Sequence, residues 1–105
     1  MAKEIGIVGE YELTSFPGSE GDICISHGAL VYEKFQGKGI GQELHKERLQ
    51  KIKDGGYTLG MCVVNAENAK QIHILVKNRW ECIHTFISEC SCHRLHIYVK
   101  NVWEA

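Results

Sequence analysis

The sequence Gln36-Gly37-Lys38-Gly39-Ile40-Gly41 lies where an extended apolar segment, 29–32, gives way to a charged pattern that begins at about Gln42. We call residues 36–41 the glycine loop. Glycine adopts positive φ without steric cost and lets a ligand approach the main chain. Residues 42–53 are rich in helix formers, so the loop is predicted to open a helix. Because the first turn of a helix has unpartnered N–H groups and the positive end of the dipole, the sequence predicts a phosphate site here.

Two common phosphate-binding motifs do not fit the glycine loop. A Walker A loop continues from its last glycine into Lys and then Ser or Thr, whereas Gly41 is followed by Gln42 and Glu43. A dinucleotide fingerprint needs G-x-G-x-x-G, whereas residues 37–41 give G-x-G-x-G. The phosphate site is therefore predicted to belong to another class.

The pattern that does fit is Q/R-x-x-G-x-G/A, filled by Gln36, Gly39 and Gly41. It resembles the acetyl-CoA loop of the GNAT N-acetyltransferase superfamily, in which backbone amides hold the pyrophosphate of coenzyme A. Residues 68–81 also resemble the family's later helix, written N-A-x-A-x-x-L-Y-x-K-x-G-F. The matching or conservative positions in that helix are Asn68, Ala69, Ile74, Lys77 and Trp80. Together the two segments span about half of the chain, with one helix and one strand between them.

The resemblance implies that the chain binds acetyl-CoA at the end of a strand, along the loop and at the starts of two helices. The residues implied are Val31, Gln36, Gly37, Lys38, Gly39, Ile40, Gly41, Gln42 and Asn68. It also implies a bulged strand that separates from its neighbour to admit the pantetheine arm, and a backbone N–H near 61–64 as oxyanion donor. The amine would attack the thioester directly in a ternary complex, without a covalent enzyme intermediate.

The chain departs from the family pattern in three places. Leu75 stands where many members have a tyrosine that acts as general acid toward the departing thiolate, and Arg79 replaces a glycine. Only residues 1–22 precede the strand that leads to the loop, where members usually have a strand and two helices. This shorter acceptor half favours an acceptor with its own surface, such as a lysine or the N-terminus of a protein, over a small metabolite.

The sequence does not single out one general base or one general acid. Glu33, at the end of the strand before the loop, is a candidate general base, or a solvated strand-end carboxylate. His27, on the same strand, is a second candidate base, since imidazole is a common general base, or a packed strand histidine. Tyr32, Tyr57 and Tyr98 are open alternatives for the acid, and Cys62 as a nucleophile has no visible base partner.

Composition limits the class of protein. The 105 residues are sufficient for one domain, 1–105, and their net charge of −1 argues against non-specific nucleic-acid binding. No apolar run reaches the ~20 residues that a membrane span needs, and residues 1–4 lack the apolar core of a signal peptide. An odd number of irregularly spaced cysteines, five, favours a reduced, cytoplasmic protein. The segment 90–93 reads Cys-Ser-Cys-His, which lacks the usual zinc-ligand spacing, so no metal is predicted.

The periodicities predict an α/β (α+β) protein with element order β-β-α-β-α-β-β, a GNAT-like central mixed sheet flanked by two main helices. The helices are predicted at 42–53 and from Asn65 or Asn68 to about Asn78. The strands are predicted at 4–13, 23–31, 57–64, 80–89 and 94–100. The break in alternation at 28–31 indicates a β-bulge, the apolar run 57–64 a central strand covered on both faces, and the last two strands a hairpin. Exposed terminal strands and Trp103 make a homodimer a further prediction.

Three functions are consistent with the sequence. The leading prediction is an acetyl-CoA-dependent N-acetyltransferase that modifies an amine, more readily on a protein than on a small metabolite. The alternative is a catalytically impaired CoA-binding or protein-interaction module of the same fold, which Leu75 supports. The third is a small metal-binding domain built on the Cys- and His-rich C-terminal hairpin.

Overall fold

The computed structural model describes residues 3–5 and 9–104, with side chains described from Gly9 onward except at position 28. The strands are β1 (Lys3–Ile5), β2 (Gly9–Ser15), β3 (Ile23–Val31), β4 (Leu59–Asn65), β5 (Glu81–Ile87) and β6 (Arg94–Asn101). The helices are α1 (Ile40–Asp54) and α2 (Ala69–Lys77), and a 3₁₀ turn, Glu33–Phe35, follows β3.

The strands form one mixed sheet in the order β1-β2-β3-β4-β6-β5. β3 and β4 are parallel and are connected through α1, whereas the other neighbouring pairs are antiparallel. The predicted mixed sheet, the two helices and the hairpin of the last two strands are confirmed. A short bend at 88–93, closed by bonds from the Ser88 amide to the His93 carbonyl and from the Cys92 amide to the Ser88 carbonyl, joins β5 to β6.

The prediction of a single strand at 4–13 is wrong, because this segment contributes two antiparallel strands, β1 and β2. The apolar alternation is interrupted by two glycines, which weaken a continuous strand. Gly9 also brings β2 unusually close to β3, since a Cβ there would collide with the carbonyl oxygen of Leu30. The interruption of the alternation therefore marks the division of this segment into two strands.

A bulge and a fork shape the middle of the sheet. Glu10 pairs with Leu30 and Glu12 with His27, so one residue of β2 lies opposite two residues of β3, which confirms the predicted bulge. β3 pairs with β4 only from Ile23 to Ile25, opposite 59–61, although both strands continue beyond that point. We call the opening between 26–31 and 62–65 the fork.

Both helices cover the same face of the sheet. Cys24 pairs with Gly60 and Cys62 with Tyr98, and these positions face the helices and are buried. The core residues on this side fall into two groups that meet α1 and α2: Tyr11, Leu13, Cys24, Leu44, Ile52 and Val102, and Cys62, Val64, Leu75, Trp80 and Tyr98.

β4 is central, as predicted, but the prediction that both of its faces are covered is wrong. Val63 on its other face is 49% exposed, whereas Cys62 and Val64 are buried. An apolar run alone does not distinguish a strand covered on two faces from one covered on a single face. Neither α1 nor α2 has the length and apolar character needed to cross a membrane.

Candidate functional site

A cavity of about 520 Å³ opens between the end of β3, the glycine loop and the facing sides of α1 and α2. Seven of the residues predicted to bind the cofactor line it. They are Val31, Gln36, Gly37, Gly39, Gly41, Gln42 and Asn68. Lys38 is exposed on the loop and Ile40 begins α1, and neither is among the lining residues. The structure thus brings most of the predicted set to one concave surface.

The glycine loop has the backbone that only glycine adopts readily. Gly37 and Gly39 have φ of 77° and 76°, and a Cβ at either position would point into open space. Gly39 is the N-cap of α1, and no side chain in the described part of the chain caps the first turn. The amides of 40–42 therefore lack a capping acceptor at the positive end of a 15-residue helix.

Gly41 serves a different purpose from the other two loop glycines. A Cβ at this position would lie 2.9 Å from Cδ1 of Ile74 on α2. The absence of a side chain therefore lets the start of α1 approach α2, and both helices contribute to the cavity wall.

Three polar side chains fix the rim of the cavity. Gln36 donates from Nε2 to the Val31 carbonyl at 2.9 Å and accepts from Lys70 Nζ at 3.4 Å. Gln42 and Asn78 exchange two hydrogen bonds of 2.9 Å between their amide groups, which ties α1 to the end of α2. Asn68 caps α2 by accepting from the Gln71 amide at 3.2 Å, which confirms Asn68 as the cap, while also lining the cavity.

The charge of the cavity wall is positive. Lys70, Lys77 and Arg48 line it together with His73, and no acidic side chain does so among the residues that the structure describes. Lys70, His73 and Lys77 were not predicted as site residues. Their spacing along α2 places them on one helical face, and this was the signal available in the sequence. An anionic ligand is therefore favoured at this surface.

A buried polar cluster that was not predicted from the sequence lies behind the cavity. It consists of Ser26 on β3, His45 and Arg48 on α1, and Trp80 before β5. Arg48 donates from Nη1 to Ser26 Oγ at 3.0 Å, and its Nη2 lies 3.1 Å from His45 Nδ1. Trp80 Nε1 lies 3.1 Å from His45 Nε2. Burial, with Arg48 and Lys100 adding positive potential, lowers the pKa of His45 to about 3, so the ring is neutral.

The two candidate bases lie away from the cavity lining. His27 projects from the sheet face opposite the helices, where its Nε2 is 2.7 Å from Thr14 Oγ1 and its Nδ1 is 4.0 Å from Glu12 Oε1. Glu33 is exposed in the 3₁₀ turn after β3. Neither side chain lines the cavity, although the Glu33 carbonyl accepts a hydrogen bond from the Gln36 amide of the loop at 3.2 Å.

The residues considered as general acid or as nucleophile lie outside the cavity. Leu75 is completely buried in the core beside Cys62, Trp80 and Tyr98. Burial raises the pKa of Cys62 to about 12, so this thiol is protonated near neutrality. The hydroxyl of Tyr57 contacts Ser15, that of Tyr32 donates to Glu10 Oε2 at 3.1 Å, and burial raises the pKa of Tyr98. None of these side chains is among the residues that line the cavity.

The C-terminal hairpin gives no support to the metal-binding hypothesis. Cys82, Cys90 and Cys92 are free and exposed. Within 3–5 and 9–104, no group of three or more His, Cys, Asp or Glu side chains has an arrangement that holds a metal ion.

Comparison with known proteins identifies the fold. No family model matches the sequence, and no curated protein matches it. Among solved structures, a GNAT family acetyltransferase from Elizabethkingia anophelis with acetyl-CoA bound superimposes with a TM-score of 0.80 at 18% identity, covering 91% of this chain and 69% of that one. The yncA protein of Salmonella typhimurium with its cofactor acetyl-CoA gives 0.79 at 14% identity, covering 93% and 60%.

A third solved structure, the ribosomal-protein-S18-alanine N-acetyltransferase of Escherichia coli, gives a TM-score of 0.75 at 14% identity, covering 93% of this chain and 63% of that one. This chain thus spans 60% to 69% of the lengths of the three proteins. The chain has the GNAT fold, which confirms the fold predicted from the glycine loop and the second helix.

Proposed function

We propose that this chain is an acetyl-CoA-dependent N-acetyltransferase whose domain comprises residues 1–105. The observation that carries the proposal is the uncapped start of α1 beneath the glycine loop, at the mouth of a cavity with a positive wall. Coenzyme A offers a diphosphate to such amides, and the aliphatic segments of its pantetheine arm suit the apolar part of the wall, which includes Val31, Leu44 and Ile74. Two proteins of the same fold are solved with acetyl-CoA bound.

The acceptor in this proposal is an amine on a protein, either a lysine or an N-terminus. The similar E. coli protein is named for its action on an alanine of ribosomal protein S18, which shows that the fold accommodates a protein acceptor. The reaction proceeds by direct attack of the amine on the thioester. The raised pKa of Cys62 supports this route, because a thiol that stays protonated is a poor nucleophile for a covalent intermediate.

His27 and Glu33 are the proposed general bases. His27 has the more ordered surroundings, since Thr14 and Glu12 flank its two ring nitrogens. It lies just before the bulge and beside the fork, on the face of the sheet that the helices leave open. An acceptor amine that approached the fork from this face would meet His27, whereas Glu33 lies farther along the chain toward the loop.

One observation favours the alternative function, a CoA-binding or protein-interaction module that has lost chemistry. Leu75 occupies the position of the family's tyrosine and is completely buried in the core, so it provides neither a proton nor a contact with the cavity. Binding of acetyl-CoA without release of coenzyme A in the presence of protein acceptors would establish this alternative.

The proposed location is the cytoplasm, supported by five free cysteines in a structure without disulfides among its described residues. The proposed assembly is a homodimer, supported by the edge strand β5. β5 pairs on one side only and exposes Ile83, Phe86 and Ile87.

Replacing Gly39 or Gly41 by Glu tests the loop. Either change places a carboxylate at the phosphate site, so acetyl-CoA affinity should fall at least a hundredfold. Thermal unfolding measures this, because a ligand at 100 times its dissociation constant stabilises the wild type by about 2.7 kcal/mol and the variants should lose that increment.

Gly56→Glu provides a matched control for Gly39→Glu. Gly56 has φ of 83°, near that of Gly39, and a Cβ there also meets open space, but it lies beyond the far end of α1. This variant has the same backbone strain and added charge as Gly39→Glu, and it should bind acetyl-CoA normally. Normal binding by Gly39→Glu and Gly41→Glu would instead show that the ligand does not use the loop.

A further inference from the structure

Arg48 is a charged side chain that is almost completely buried, at 4% exposure, yet belongs to the cavity wall. Its Nη1 bonds to Ser26, but its Nε has no hydrogen-bond partner among the described residues. The ion pairs found in the described part of the chain do not include it, so no carboxylate compensates its charge there. A buried cation without a counterion is costly, which indicates that the site is completed by something else.

The hydrogen-bond inventory around Arg48 points to an anion. The guanidinium has five N–H donors, and the indole N–H of Trp80 is a sixth donor in the same cluster. Neutral His45 accepts through only one ring nitrogen, yet Arg48 and Trp80 each direct a donor at one of its two nitrogens. The cluster therefore contains more donors than acceptors, and an acceptor with negative charge would satisfy it.

Arg48 also occupies a defined place in the fork. Ser26 and Cys62 are the first helix-facing residues beyond the last paired positions of β3 and β4. Arg48 bonds to Ser26, and its charge acts on the Cys62 thiol, so the guanidinium lies near both strands where they separate.

The distance from the glycine loop to Arg48 is within the length of the pantetheine arm of coenzyme A. Gly41 and Arg48 are seven residues apart on α1, or about 10 Å along its axis. The arm from the diphosphate to the sulfur has about twelve bonds, equivalent to about four extended residues or roughly 14 Å. A coenzyme held by the loop amides therefore has sufficient length to bring its sulfur to the guanidinium.

We propose that Arg48 is the catalytic residue that receives the coenzyme A thiolate as it leaves. This inference rests on the acetyl-CoA binding proposed above. The acceptor nitrogen forms a bond to the thioester carbonyl carbon, the C–S bond breaks, and its electron pair remains on the sulfur. The proton of the amine passes to the general base proposed above, His27 or Glu33, directly or through water, and the thiolate is paired with the guanidinium. Stabilisation of the charge in a water-poor site replaces protonation by a tyrosine, which accounts for a leucine at position 75.

Proton release on binding coenzyme A tests this role directly. A free alkyl thiol is mostly protonated at pH 7.5, so a site that binds the thiolate must release at least about half a proton per molecule bound. Titration calorimetry in two buffers of different ionisation enthalpy should detect this release for coenzyme A with the wild type. Acetyl-CoA has no thiol proton and provides the reference with the same protein.

Variants of Arg48 test whether the guanidinium causes the proton release. Arg48→Met, similar in length but neutral, should abolish the difference in proton release between the two ligands and still bind acetyl-CoA within about tenfold of the wild type. Arg48→Lys should retain most of the release, because it retains the charge. Ser26→Ala should also retain it, because this change removes a partner of Arg48 and not the cation.

Each outcome bears on the proposal. Equal proton release by coenzyme A and acetyl-CoA with the wild type would overturn it, and this comparison needs no variant to fold. An undiminished difference in Arg48→Met would overturn it as well. Failure of the wild type to bind acetyl-CoA at all would reject the proposed function, and the inference that depends on it, and is distinguishable from the other two results.

Discussion

At the scale of single residues, His45 is held neutral in a site from which water is excluded. Its ring is completely buried, and the positive potential of Arg48 and Lys100 adds to the effect of burial in lowering its pKa to about 3. Trp80 also stacks edge-on against it, with ring centroids 5.8 Å apart. Protonation of His45 would add a second positive charge beside Arg48, so the folded state resists it.

This resistance predicts a pH dependence of stability. Between about pH 6.5 and 3 the unfolded chain binds a proton at His45 and the folded chain does not, so the free energy of unfolding must fall as the pH is lowered. The His45 contribution to the slope is up to about 1.4 kcal/mol per pH unit. Urea unfolding at several pH values measures it, with His45→Gln as the control. An identical slope in His45→Gln would contradict the assignment.

The residues of the glycine loop and the Asn68 cap were predictable from the sequence because their chemistry is local. A positive φ, an N-cap or a close helix approach constrains the residue at that position directly. Arg48 and His45 were not predictable, since on a helix rich in Lys and Glu they resemble further solvated positions. Their burial depends on Ser26 and Trp80, which are distant in sequence and meet α1 only in the folded sheet.

At the scale of elements, the two helices end in different ways that suit their functions. The start of α1 is left without a capping side chain, whereas the end of α2 is closed by main-chain bonds. The Trp80 amide donates to the Leu75 carbonyl at 2.9 Å and the Arg79 amide to the Val76 carbonyl at 3.1 Å. This Schellman arrangement requires a left-handed residue, and Arg79 has φ of 66°. This left-handed conformation explains why the family pattern has a glycine at the position of Arg79.

The stability of Arg79 variants should therefore depend on how readily the new residue adopts a left-handed backbone conformation. Arg79→Gly should be more stable than Arg79→Ala by about 1 kcal/mol, because only alanine suffers the left-handed clash. Comparing these two variants removes the contribution of the arginine side chain, which both lack. Thermal or urea unfolding measures the difference, and an alanine variant at least as stable as the glycine variant would show that this turn is not strained.

The element boundaries were predicted least well where tertiary packing decides them. α1 begins at Ile40 and not at Gln42, since the glycine at position 41 remains helical when α2 packs against it. The split of β1 from β2 was missed because glycines signal an interruption without indicating a change of strand. By contrast, the bulge in β3 was predictable, since it interrupts the alternation that burial of one face imposes.

At the scale of the whole molecule, the mixed sheet and the fork create the site. A parallel pair joined through α1 places the start of that helix beside the end of β3, and α2 closes the other side of the cavity. The topology was predicted from the resemblance of two segments to the family pattern. The sequence did not reveal that both helices cover the same face of the sheet. The open face presents His27, Val63 and the edge of β5, and it is where we expect a protein acceptor to approach.

The central claim is that the main-chain amides of residues 37–42 bind the diphosphate of acetyl-CoA. Titration of the ¹⁵N-labelled protein with acetyl-CoA, followed by amide NMR, tests it most directly. We expect the largest shifts at the amides of Gly39, Ile40, Gly41 and Gln42, with smaller shifts along α2 at the cavity wall. Unchanged amides in this segment at saturating ligand, or largest shifts in the β5–β6 hairpin, would contradict it.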